Sequence, residues 1–328
     1  IARAADGSLW VATDGGGVSR WLPETDDFVT YRHDPDNDAS LADDHIRTIL
    51  PDARGYVWVG TRDSGLDRLH VATGAVTHYT HDVENTGSLS NDSVYALTLD
   101  AGGTLWIGTR AGLDRLDPET GSIERFASQF GSNQVRSLLI DHAGLLWVGT
   151  GQAGLALFDP ASGEVRRFTH EPGHHHSISS NRIETIFEDS DHRVWVGTDA
   201  GLSLYDRDLG EFVTYRADAT DLTSLGDDFV FSIFQDRGGI LWIGTRTEGL
   251  NKWNPRSWSF GHTRLHFHDE TEVKSQNITS FTEDLDSNVW VGTFGGGVSI
   301  LDSEGKIESV IQANPAGGLS DDRVMAML

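Results

Sequence analysis

The chain has 328 residues, no cysteine, and 50 acidic side chains against 25 Lys and Arg, for a formal net charge of −25. Such a surface repels phosphate backbones and argues against nucleic acid or an anionic membrane as partner, and without thiols there is no disulfide or thiolate chemistry. No apolar run approaches the roughly 20 residues that a membrane-spanning helix needs.

The first element in chain order is the pentapeptide Leu9-Trp-Val-Ala-Thr13, and it recurs. Further copies begin at Val57, Leu105, Leu146, Val194, Leu241 and Val289, which places their tryptophans at Trp10, Trp58, Trp106, Trp147, Trp195, Trp242 and Trp290. A period in the forties signals a propeller or a solenoid. Residues 91–126 show what one repeat contains. Val94–Leu99 alternates and is rich in strand formers, Asp100–Gly103 is a tight turn, and Leu105–Thr109 is a second strand. Gly112–Leu116 makes a third strand, Asp117–Gly121 a hairpin turn, and Ile123–Phe126 a fourth. Four short antiparallel strands without helical periodicity make one propeller blade. The predicted fold is therefore all-β, a single seven-bladed β-propeller of four-stranded antiparallel blades over residues 1–328.

In this frame the pentapeptide is core. The tryptophan fills the space between neighbouring blades, the glycine after it allows close backbone approach, and the threonine fits a strand edge. The termini fall in mid-repeat, at Ile1 and at Met327-Leu328, so the chain reads as a piece of a longer protein. Ile1–Ala4 supplies only the tail of a first strand, and Val324–Leu328 is a first strand with no tryptophan after it. The C-terminal strand is thus expected to complete the blade of Trp10 and close the ring.

The loops carry three patterns that imitate metal sites. His170-Glu-Pro-Gly-His174 matches H-E-x-x-H, but that motif needs a helix and Pro172-Gly173 forbids one. His174-His175-His176 falls in the same exposed loop. Asp34, Asp36 and Asp38 resemble the start of a calcium loop, yet Ala39 and His45 stand where glycine and glutamate are required. No cofactor and no metal set is legible. The sixth repeat departs most: Trp253–Phe260 and His262–Lys274 replace the usual pattern, bring Trp253 and Trp258, and are expected to form an irregular loop or a contact surface.

Seven copies of one unit allow a further argument. Positions constant in every blade serve the scaffold, whereas a position that varies at one geometric place can serve a ligand lacking the ring's symmetry. The residue after the constant threonine reads Asp14, Arg62, Arg110, Gly151, Asp199, Arg246 and Phe294. The second residue of the first strand reads Arg47, Tyr95, Arg136, Glu184, Phe231, Thr279 and Met325. If the first strand is innermost, both sets lie on one face. Arg62, Arg110, Arg246, Phe294, Arg47, Tyr95, Arg136 and Phe231 are the candidate ligand-binding residues, because guanidinium forks and flat apolar faces suit a sugar or a carboxylate. The plainer role for such arginines is pairing with acids of adjacent loops. Asp43-Asp44, Asn91-Asp92, Asn181, Asp227-Asp228, Asn277 and Asp321-Asp322, just before the first strands, read as turn formers.

The unit Asp92-Ser-Val-Tyr-Ala-Leu-Thr-Leu-Asp-Ala-Gly-Gly-Thr-Leu-Trp-Ile-Gly-Thr-Arg-Ala-Gly-Leu-Asp-Arg-Leu-Asp117 resembles the two-component regulator propeller repeat, as do Ser88-Leu-Ser-Asn91 and the Phe-x-x-Tyr strands Phe28–Tyr31 and Phe212–Tyr215. The resemblance covers essentially the whole chain. It implies a non-catalytic, periplasmic sensor region of a bacterial membrane receptor. It also implies neighbouring immunoglobulin-like, membrane-anchored and histidine kinase or diguanylate cyclase domains, and an oligosaccharide or other small-molecule ligand. Signalling would work by a shift relative to those domains or to a second copy in a homodimer. The family motif is structural and transfers no binding residues. Two other readings stand beside the sensor: a carbohydrate-active lyase or hydrolase, which needs a convergent acid–base pair, and a protein-interaction scaffold using residues 253–274.

Overall fold

The computed structural model describes residues 1–25, 27–126, 134–221, 223–254, 259–263, 275, 277–302, 305–314 and 318–325. These residues contain strands, turns and loops and no helix. The strands form seven antiparallel blades, each hydrogen-bonded in chain order from first to fourth strand. The first strands of blades two to seven are Ile46–Pro51, Val94–Leu99, Val135–Ile140, Ile183–Glu188, Val230–Gln235 and Ile278–Glu283. They pack against one another in succession around the ring, so they are innermost. Fourth strands such as Asp27–Tyr31 and Val76–Tyr79 bury no residue fully.

The innermost strand of blade one is assembled from both ends of the chain. Ala2–Arg3 pairs with Leu9 and Trp10, and Val324–Met325 pairs with Ala12 and Thr13. The C-terminal strand closes the ring, as its sequence suggests. At this seam Trp290 packs with Ile1, Leu9, Val11 and Val324, and its ring lies 5.1 Å from Trp21.

Each constant tryptophan is buried in the apolar cluster between its own blade and the next. Trp147, for example, meets Ile183, Ile186, Val194 and Val196 of blade five. Gly149 shows why the neighbouring position stays small: a Cβ there would lie 2.6 Å from the Ile183 side chain of that same blade. The threonine does more than fit an edge. Its hydroxyl donates to the carbonyl that opens the third strand, as in Thr61 to Gly65 (2.8 Å) and Thr150 to Gly154 (2.8 Å). This closes the connection between second and third strands. Five of the indole N–H groups donate to the aspartate six residues earlier, for example Trp195 to Asp189 at 2.8 Å, whereas those of Trp10 and Trp58 are buried without a partner.

The loop patterns resolve as expected. Residues 170–174 are not helical, and His170 Nδ1 contacts the Ile178 carbonyl at 2.8 Å within its loop. Asp34 accepts from the Asp36 backbone in a local turn. Asp43, Asn91, Asp227 and Asp321 each accept from the backbone N–H two residues on. Much of the irregular stretch at 253–274, Trp258 included, lies outside the described residues. Trp253 does not belong to a contact surface: it is fully buried on the third strand of blade six (Leu250–Asn254), 5.0 Å from Trp195.

Candidate functional site

A local irregularity shapes one mouth of the propeller. In blades two to seven the pairing of first and second strands slips at the same place: Ile46 opposes Thr61 but Thr48 opposes Gly60, so Arg47 is an extra residue. The same bulge places Tyr95, Arg136, Glu184, Phe231 and Thr279 outside the regular register. A bulge leaves its extra residue unpaired, bends the strand and re-aims a side chain. The variable second residue of the first strand is therefore a bulge position in every blade where the strand is continuous.

The residue after the threonine is fastened to the same end. Its N–H donates to the carbonyl just before the first strand: Arg62 to His45, Arg110 to Ser93, Gly151 to Gln134, Arg246 to Phe229 and Phe294 to Asn277, at 2.9–3.1 Å. Both variable sets share one face.

The structure brings several of them into a continuous arc over blades two to six. The Arg47 guanidinium lies 4.2 Å from the Tyr95 ring centre, and that of Arg136 lies 5.8 Å from the same ring. Arg136 donates through Nε (3.0 Å) and Nη2 (2.5 Å) to Oε2 of Glu184, whose side chain is fully buried. Oε1 of Glu184 accepts from Arg182 Nε at 2.5 Å. Arg182 and Arg246 each sit 5.3 Å from the Phe229 ring, which packs 4.5 Å from Phe231. Arg136 and Arg182 also line a cavity of about 500 Å³ with Gln134, Asn181 and Asp199.

Three candidates stand outside this arc. Arg62 reaches toward Asp14 (3.8 Å) and Asp63 (3.8 Å), the acid pairing that is the plainer role for such a residue. Arg110 and Phe294 are exposed on the same face. Arg182 and Phe229 were not among the sequence candidates, although both occupy the position just before the first strand. That position varies as His45, Ser93, Gln134, Arg182, Phe229, Asn277 and Arg323, a signal two residues before the one read.

The carboxylates whose acidity burial weakens, among the described residues, lie outside this arc, beneath the loops that join blades. Burial pushes Asp114 up to about 6 although the Ser90 N–H and hydroxyl both donate to it. Burial likewise raises Asp67, against the Ala42 N–H and His78. Both follow the buried leucine of the third strand, Leu66 or Leu113, and hold a loop in place. Among the described residues one group can gather around a metal ion, His142, Glu188 and His192, at the opposite end of blades four and five.

A seven-bladed propeller with one varied, bulged mouth defines the class of this protein. Residues 40–63, 88–111, 129–152, 177–200 and 224–247, within five of the seven repeats, match the two component regulator propeller model. A comparison with curated proteins returns no match. Among solved structures, the chain is similar to the extracellular domain of a putative hybrid two component system from B. thetaiotaomicron (24% identity, TM-score 0.77), over 92% of this chain and 39% of that one. A second such domain from the same organism matches at 21% identity and TM-score 0.52, over 94% of this chain and 47% of the other. The chain thus spans less than half the length of these relatives. Virginiamycin B lyase from Staphylococcus aureus shares the fold at 14% identity and TM-score 0.63, over 85% of this chain and 93% of that one.

Proposed function

We propose that this propeller is a non-catalytic, extracytoplasmic ligand-binding module of a bacterial signal-transduction receptor, and that its ligand is an oligosaccharide held at the bulged mouth. The observation that carries this reading is the arc from Arg47 through Tyr95, Arg136, Glu184, Arg182 and Phe229 to Phe231 and Arg246. An otherwise acidic chain gathers guanidinium donors and aromatic faces at one place, with Arg47, Tyr95, Arg136 and Phe231 on backbone bulges that take them out of the regular ladder. Donor forks bind hydroxyl and carboxylate oxygens, and aromatic faces cover the apolar side of a sugar ring. Glu184, with both oxygens engaged by arginine, orients its two partners. The repeat family and the extracellular receptor domains of like fold support the sensor role. Immunoglobulin-like and membrane-anchored signalling domains, in the periplasm and inner membrane, would complete the receptor.

Thermal unfolding against neutral and acidic oligosaccharides tests this. A ligand that binds only the folded chain raises the midpoint with concentration. The expected result is a shift that Arg136→Ala or Tyr95→Ala removes. A sugar-induced shift indifferent to both variants would move the site off this mouth. Release of new reducing or unsaturated ends from a bound polysaccharide would instead favour a lyase or hydrolase.

A further inference from the structure

We infer that His142, Glu188 and His192 form a binding site for a divalent transition-metal ion, zinc being the natural occupant by ligand type. The site lies at the end of the propeller opposite the bulged mouth, on the turns between first and second strands of blades four and five. His142 Nδ1 lies 2.5 Å from Glu188 Oε1, His192 Nδ1 lies 3.7 Å from the same oxygen, and the two imidazoles stack 4.0 Å apart. Donor atoms of all three residues fall within 4.8 Å of one another. Tetrahedral zinc, with ligands at about 2.0–2.1 Å, sets its donors roughly 3.3 Å apart, so small rotations of these side chains suffice. Two histidines and one carboxylate leave a fourth position for water.

Two features separate this group from a chance surface cluster. The first is backbone conformation. Three residues before each constant tryptophan the turn enters the left-handed region, and five blades place glycine there: Gly7, Gly55, Gly103, Gly144 and Gly239. Blade five holds His192 instead, at φ 62°, and blade seven holds Ser287, at φ 68°, whose hydroxyl accepts from Arg237 Nη1 at 3.2 Å. A β-carbon in that region is strained, and such strain marks places where a side chain is needed for something other than the fold. The second is the division of labour within Glu188. Its Oε2 accepts from the His142 N–H at 2.8 Å, the same bond between blades that Gln235 makes to Ser190 and Glu283 makes to Arg237. Oε1 is not needed for that lock and faces both imidazoles. Arg207 Nη2 lies 3.3 Å from Oε1 and also donates to Asp141 Oδ2 at 3.1 Å. When metal takes Oε1, Arg207 keeps Asp141.

Calorimetric titration of the chain with zinc chloride, in competition with a chelator of known affinity, is the test. One equivalent is expected to bind at this site. His192→Gly and His142→Ala are safe variants, since other blades carry glycine and alanine at these positions (Gly144, Ala53 and Ala101). Each is expected to weaken binding by more than the roughly 10–100-fold that loss of a mere outer-shell partner costs. The chain with His174, His175 and His176 all replaced by alanine is the control for adventitious binding and is expected to keep full affinity. Zinc binding that survives His142→Ala and His192→Gly but disappears in that control would overturn the inference, as would the absence of binding to the unaltered chain.

Discussion

The two ends of the innermost strands obey opposite rules. At the mouth, a β-bulge recurs in six blades while the side chain it presents changes from Arg47 to Tyr95, Arg136, Glu184, Phe231 and Thr279. At the turn end, a left-handed glycine recurs in five blades and the exceptions are His192 and Ser287. In a repeat protein, a candidate site can thus be sought in two ways: as variation on a shared backbone device, or as one copy that breaks a shared residue choice. The mouth shows the first and the turn end the second.

The sharpest way to break this comparison is to remove the buried carboxylate of the mouth. Glu184→Ala leaves Arg136 and Arg182 facing each other without their acceptor. Breaking a buried ion pair costs about 3–5 kcal/mol; because the two arginine side chains are 15% and 43% exposed, screening reduces this to about 2–3 kcal/mol. Chemical denaturation should show that loss together with loss of ligand binding. A neutral outcome for stability would mean that the arginines do not depend on Glu184.

A second buried carboxylate should respond with the opposite sign. Asp114 holds its loop by accepting from Ser90, but its other oxygen is buried without a partner. Its folded value of about 6 exceeds the ordinary 3.8, so the folded chain holds this proton more tightly than the unfolded chain does. The resulting stability is full below the ordinary value and is lost as pH rises through about 6. Asp114→Asn keeps the acceptor, as Asn251 does at the same position of blade six by accepting from Gly226 at 2.9 Å. The variant should gain about 1–2 kcal/mol at pH 7 and flatten stability between about pH 4 and 6. Denaturant midpoints across that range measure it; an unchanged pH slope would assign the slope to other groups.

The ring itself was legible because its cause is local and repeated. Seven pentapeptides fix the second strand, and turn residues fix the strands around it. The split first strand, Ile1–Ala4 and Val324 onward, needed only a count of missing pieces. The candidate site was legible in part. The variation argument found Arg47, Tyr95, Arg136 and Phe231, but a bulge is a slip between two strands and leaves no mark in either one. Arg182 and Phe229, two residues before the bulge positions, therefore fell outside the window. Arg62 was placed on the correct face, yet its partner Asp14 occupies the same position in the preceding blade, and only stacking of the blades brings them within 3.8 Å. His142, Glu188 and His192 meet for that reason too. Each is unremarked in its own repeat, and their nearness is a property of two blades side by side.

The smallest effect tests the turn end by itself, with no ligand present. His192→Gly restores the residue that five blades already use at this left-handed position. Glycine there relieves the β-carbon strain but adds freedom to the unfolded chain, and at positions of positive φ the strain is the larger of the two. A net gain of about 0.5–1 kcal/mol follows, or roughly 1–3 °C in melting temperature for a chain of this size. The stacking of His142 on His192 at 4.0 Å opposes the gain. A rise in melting temperature without metal would mean that blade five sacrifices stability to keep an imidazole at this point. A fall would mean that the stacked pair itself stabilises the turn, and the histidine would then be explained by the fold alone.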